Sequence, residues 1–166
     1  QGVIGAIDGC ILRTESPGVA VENSADHYCE RKKMFGMLLM AACDADMIIR
    51  FWDMKFTPKT HDSTAWKEST LGAWIASGLL PQPFCLLGDK AFRPGNPSLL
   101  TPGTTNSTSD AFKYVQSRGR MPAEQCFGIL IRTWGVLLRP LQVRFDRRAP
   151  LVSALIHLHN LRRSRR

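Results

Sequence analysis

An α/β domain with a mixed sheet is the fold predicted by this sequence, and three observations carry the prediction. Short β-branched apolar runs bounded by turn residues fill the first third of the chain. The hydrophobic period then lengthens to that of a helix, and one further strand-like run divides the helical part. No internal repeat is present.

GVIGAIDGCIL (2–12) reads as the first strand, bounded by Thr14 and by Ser16-Pro17-Gly18. Residues 13–33 are mixed and polar, end in Glu30-Arg31-Lys32-Lys33, and read as a loop. FGMLLMAACDAD (35–46) and MIIRFWDMKF (47–56) flank Asp44-Ala45-Asp46 as an antiparallel hairpin. After Thr57-Pro58, Trp66, Trp74 and Ile75 recur at helical spacing, predicting a helix from Asp62 to Ser77 with Gly78 as its stop. PFCLLGD (83–89) is a second buried strand, and 90–110, rich in Pro, Gly, Ser, Thr and Asn, reads as a long loop of the kind that carries function. From about Ser109 the pattern is helical, with Pro122 suited to a first turn and Glu124 to a positive helix end. Phe127, Leu130, Ile131, Trp134 and Leu138 make its apolar face, Arg139-Pro140 breaks it, and Leu151 to Leu161 forms a last amphipathic helix.

A chain of 166 residues, 44% hydrophobic and 22% charged, fits one domain over 1–166. Its 13 glycines and 10 prolines exclude a collagenous or disordered chain. No apolar run approaches the ~18 residues of a spanning helix, so no membrane partner is expected. The opening QGVIGAIDG lacks a basic segment before its apolar residues and an initiator Met, which predicts a fragment or internal domain rather than a secreted chain. Five widely spaced cysteines without a CxxC pair predict reduced, buried thiols in an intracellular protein, not a disulfide framework or zinc site.

The net charge of +8 is unevenly placed. Residues 111–166 hold 12 Lys and Arg against Glu124 and Asp146, whereas 1–110 hold 10 against 12 acids. Such a basic third implies a polyanionic partner, most often nucleic acid. Arg118, Arg120, Arg132, Arg139, Arg144, Arg147 and Arg148 are the expected phosphate contacts. The terminal run Arg162, Arg163, Arg165, Arg166 reads equally as an import signal or a solvated tail.

Asp8 and Asp89 each close an apolar strand run. A carboxylate there needs a hydrogen-bonding turn, a basic partner or a divalent cation. Taken singly, Asp62 reads as an N-cap and Glu124 as a first-turn helix carboxylate. If the two strands are neighbours, Asp8 and Asp89 meet at one sheet edge and a packed helix can deliver Glu124. Hard oxygen ligands converging there would bind Mg²⁺ or Mn²⁺, the ions of phosphodiester chemistry. His61 reads as a loop histidine or a general base, His157 and His159 as a helix surface and core pair, and Trp66, Trp74 and Trp134 as core residues.

AIDGC, HYCERKK, CDAD, THDSTAWKES, LLGDKAF with LLTP, RMPAEQCFG and HLHN occur in an order that resembles the Harbinger transposase-derived nucleases. The likeness runs from about residue 3 to 160, and 35 residues separate Asp89 from Glu124. Membership of that group implies the DDE superfamily, a ribonuclease-H-like α/β fold with a mixed sheet flanked by helices, and metal-dependent cleavage or strand transfer of DNA. It implies metal ligation by Asp8, Asp62, Asp89 and Glu124, with Asp8, Asp89 and Glu124 as catalytic residues. The chain departs from the group at Lys33-Met34, at Lys90-Ala91-Phe92 and at Ala123-Glu124-Gln125, where a basic neighbour of the Glu is replaced. The group's helical DNA-recognition region is missing from the chain, and a separate DNA-recognising partner protein is a second expected partner. The oligomeric state stays open, and the implied function predicts localisation to the nucleus, with the cytoplasm as a second compartment. The alternative expectation is a domesticated, catalytically silent module that keeps the fold and binds nucleic acid or a partner.

Overall fold

The computed structural model describes residues 2–92, 98–102 and 110–165. Its strands are β1 (Gly2–Arg13), β2 (Tyr28–Cys29), β3 (Met34–Cys43), β4 (Ile49–Phe56), β5 (Phe84–Leu87) and β6 (Leu99–Leu100). The α-helices are α1 (Asp62–Glu68), α2 (Thr70–Ala76), α3 (Asp110–Thr133) and α4 (Phe145–Ser164). Among the described residues the sheet runs β2-β3-β1-β5-β6, with β4 also pairing β3. β1, β3 and β4 are antiparallel neighbours, whereas β5 joins β1, and β6 joins β5, in parallel.

β3 reads as an almost unbroken apolar run because both its faces are covered, with Gly36 to Cys43 all buried. Alternation along β1 sends Ala6 and Leu12 to one face and Ile7 to the other. On the first face lie Ala123, Cys126, Phe127 and Leu130 of α3, with Val152 and Ile156 of α4. On the second face lie Ala65 and Trp66 of α1, Ile75 of α2, and Phe92. No described helix is long and apolar enough to cross a membrane.

The first strand, the hairpin and the second buried strand stand where expected. In the hairpin, Asp44 Oδ1 accepts from Asp46 N and Ile48 N, both at 3.0 Å, and organises the turn. The loop over 13–33 contains 3₁₀ turns at Ser24–His27 and Glu30–Lys32 and the short β2. The helix expected over Asp62 to Ser77 is two helices. Ser69 turns extended (ψ 151°), donates to Trp66 O at 2.7 Å and accepts from Gly72 N at 2.9 Å, so it ends α1 and caps α2. Gly72 is needed because a Cβ there would strike the Trp66 carbonyl. Gly78, at φ 81°, stops α2 as expected.

The stretch 90–110 is not wholly loop, since it holds a 3₁₀ turn at Lys90–Phe92 and β6; residues 93–97 and 103–109 lie outside the described residues. Pro122 and Glu124 sit in the interior of α3, not in a first turn. Packing of Ala123, Cys126 and Phe127 carries the helix through a proline that local preference would place at its start. α3 ends at Thr133, before the expected break, and a 3₁₀ turn follows at Gly135–Leu138. α4 starts at Phe145, ahead of the expected Leu151, with Pro150 inside it. Trp66 is core, but Trp74 is 53% exposed, a correction to its expected burial. All five cysteines are free, and four are buried.

Candidate active site

The parallel pairing of β1 with β5 sets the site. Ala6 pairs with Leu87, and Asp8 and Asp89 each follow two residues further on, just past the end of that pairing. Asp8 is not the end of its strand: β1 continues to Arg13 and Asp8 pairs with Ala41 of β3. It is β5 that stops, at Leu87, leaving Asp8 where its neighbour departs. Asp8 Oδ1 accepts from Gly9 N at 2.9 Å, and Asp89 Oδ1 accepts from Ala91 N at 2.7 Å, an Asx turn that opens the 3₁₀ turn.

Asp8 shares the face of Ala6, which is the face covered by α3. Two contacts bring that helix close. Gln116, buried, donates from Nε2 to Gly88 O at 2.7 Å, and Gly119 leaves room for the Leu87 side chain that a Cβ would strike. Glu124, one helical turn beyond Arg120, accepts from Arg120 Nη2 at 3.1 Å. The Arg120 side chain is only 18% exposed, and its Nε is buried without a hydrogen-bond partner.

Burial pushes the Asp8 carboxyl up to about 6, and Asp89 and Glu124 push in the same direction. Gly9 N and Arg120 oppose them. Asp8 thus lies within the field of Asp89, Glu124 and Arg120. Asp62 stands apart. Gly9 faces opposite to Asp8, and a Cβ on Gly9 would meet Asp62 Oδ1 at 3.0 Å, so Asp62 approaches β1 from the face of α1. Burial raises its carboxyl first and Asp89 second, while Arg31 and His61 lower it. Asp89 is therefore the hinge between the two faces. Asp62 is also not the N-cap: His61 holds that position (ψ 142°) with no side-chain cap, and Asp62 is the first helical residue.

On the Asp62 side opens a cleft of about 880 Å³ between Gly9, His61, Asp62 and a cationic rim of Arg31, Lys32 and Lys90. That rim was missed as a site component, although the run Glu30-Arg31-Lys32-Lys33 marked it in the sequence. Other expected phosphate contacts are redirected. Arg120 belongs to the carboxylate group, a pairing its spacing from Glu124 could have shown. Arg148 is buried and donates to Val143 O and Ser16 O, so it ties α4 to the loop after β1. Arg144 and Arg147 pair with Asp146, and Arg118 donates to Tyr114 Oη. His159 is buried and His157 lies edge-on to Trp52, the core and surface pair expected of them.

Among the described residues no three His, Cys, Asp or Glu side chains stand together at metal-ligating separation. The chemistry of the donor set still fits a hard divalent cation. Asp8, Asp89 and Glu124 offer only carboxylate oxygens, and the push of Asp89 and Glu124 on Asp8 is of the kind that a divalent ion relieves.

A family model described as DDE superfamily endonuclease matches residues 7–160. No curated protein and no solved structure matches the chain.

Proposed function

The chain belongs to the DDE superfamily endonuclease family, and from that premise we propose that it is a Mg²⁺- or Mn²⁺-dependent DNA endonuclease or strand-transfer domain of the Harbinger lineage. One observation carries the proposal: parallel pairing of β1 with β5 aligns Asp8 with Asp89, and α3 brings Glu124 into their field. The antiparallel trio β4-β3-β1, extended by parallel β5 and β6, supports the ribonuclease-H-like reading. A single domain over 1–166 agrees with α3 and α4 sharing one core with β1 and β5.

In this reading Asp8, Asp89 and Glu124 hold the ion, and Asp62, coupled to Asp89, is the outer member. The ion supplies Lewis-acid polarisation of a phosphoryl oxygen and of the attacking oxygen nucleophile. The chain itself supplies position. Gln116 fixes Gly88 ahead of Asp89, Gly9 N orients the Asp8 carboxylate, and Arg31, Lys32 and Lys90 meet the phosphates entering the cleft. DNA is the partner, with a separate DNA-recognising protein beside it, and the nucleus is where that substrate lies.

Calorimetric titration of Mn²⁺, followed by plasmid nicking, tests the proposal. Saturable binding that Asp8→Asn and Asp89→Asn each weaken at least ~10-fold, with loss of nicking, is expected. A folded wild-type domain that binds no Mn²⁺ overturns it in favour of the silent binding module. The observation that favours that second reading is the ion pair by which Arg120 already holds Glu124.

A further inference from the structure

Away from the acidic edge, the far ends of α3 and α4 enclose a cleft of about 480 Å³ lined by Ile129, Arg132, Thr133, His159, Arg162 and Arg163. Among the described residues none of its three arginines has a carboxylate partner within ion-pair distance. Two of them are held in place. Arg162 Nη1 donates to Thr133 Oγ1 at 3.2 Å, and Arg163 donates from Nε (3.0 Å) and Nη2 (2.9 Å) to the carbonyl of Asp46. Like charges held near one another without an acid repel, and an anion arriving among them relieves that repulsion. Their field is felt inside the protein: burial first, then Arg163 and Arg162, keep the His159 imidazole below its usual range.

A track connects this cleft to the acidic edge. Glu124, Gly128 and Arg132 follow at helical i+4 spacing on α3, so they share one stripe, and nothing lies over the Gly128 notch. Eight helical residues rise about 12 Å, which is the axial rise of three to four nucleotides of one duplex strand. We propose that the cleft of Arg132, Arg162 and Arg163 binds a backbone phosphate of the DNA strand whose scissile phosphate lies at Glu124. The inference rests on the nuclease reading of the acidic edge and adds where the strand runs. Arg162 and Arg163 of the terminal run are then part of the substrate track.

The test is fluorescence anisotropy of a short DNA duplex between about 50 and 200 mM salt, with Arg132→Gln/Arg162→Gln, the matching Lys pair, and Asp8→Asn. Both replaced arginines are exposed, so the fold is expected to persist, and calorimetric Mn²⁺ binding by the Gln pair is expected to equal wild type. The Gln pair is expected to lose about 10-fold in affinity and to flatten the logarithmic salt slope by about two, while the Lys pair restores the slope. Wild-type affinity and slope in the Gln pair overturn the inference and leave the nuclease reading standing. Absence of salt-dependent DNA binding by wild type overturns both the inference and the DNA half of that reading. Loss of poly-glutamate binding by the Gln pair with DNA binding intact overturns it in favour of an acidic protein segment.

Discussion

Asp8 couples the acidic edge to the stability of the whole domain. Its carboxyl titrates near 6 in the folded chain, against an ordinary value of 3.8, so between those values the folded chain binds the extra proton. The contribution of Asp8 to stability is therefore fully present below the unfolded value and is lost as pH rises through 6, a difference of about 2–3 kcal/mol. Asp62 is raised in the same direction and adds to the slope. Asp8→Asn removes the Asp8 part. Thermal melts at pH ~5 and ~8 are expected to show the variant gaining on wild type at the higher pH, with Mn²⁺ restoring only the wild type. Equal gaps at both pH values would show that Asp8 ionises freely in the fold. Arg120 works on the same balance from the other side. It neutralises Glu124 without an ion, so a cation arriving there competes with it. Calorimetry is expected to show Arg120→Gln binding Mn²⁺ about three- to ten-fold more tightly than wild type. Weaker binding would make Arg120 a support for Glu124 and not its competitor.

At the scale of the element, α3 is what brings Glu124 and Arg120 into the field of Asp8 at the sheet edge. Among its fully buried residues only Gln116 is polar, at 4% exposure, and its amide reaches Gly88 O immediately before Asp89. Gln116→Ala leaves that carbonyl unpaired and opens a gap between helix and strand. A loss of about 1–2 kcal/mol in denaturant unfolding is expected. Mn²⁺ affinity should fall several-fold with it, because Asp89 loses its anchor; a stability loss with unchanged affinity would confine Gln116 to packing. The helices were also where the sequence was hardest to read. Period alone joined α1 to α2, because the break rests on one buried hydroxyl, Ser69, bonded on both sides. Pro122 carried a start signal that tertiary packing of its neighbours overrode. β6, two residues long, is a strand only because Leu86 and Leu87 lie beside it.

Taken as a whole molecule, the chain announces its long strands and conceals their neighbours. β1, the hairpin and β5 were legible because each is an apolar run with turn residues at its ends. Asp8 and Asp89 were legible as charges closing such runs, but their adjacency depends on a parallel pairing that periodicity does not encode. That Asp62 lies across β1 from Asp8 follows only from the alternation of a strand whose covering helices are known. The charge asymmetry was legible as a sum and not as a distribution. Arg120, Arg144, Arg147 and Arg148 are engaged by Glu124, Asp146 or backbone carbonyls, whereas Arg132, Arg162 and Arg163, none with a carboxylate partner among the described residues, line one cleft at the far end of α3 and α4.

The pairing of β1 with β5 also sets a timetable. Asp8 and Asp89 come together only after the chain has closed a loop of about 80 residues, an entropic step that local hairpins and helices do not face. Every strand of the β1–β3–β4 meander lies within the first 56 residues, although the helices that cover both its faces come later. A chain still being synthesised therefore carries Asp8 long before it carries Asp89 and Glu124. Glu124 can enter the field of Asp8 only once α3 has been made and has docked on β1, so an incomplete polypeptide carries Asp8 without it.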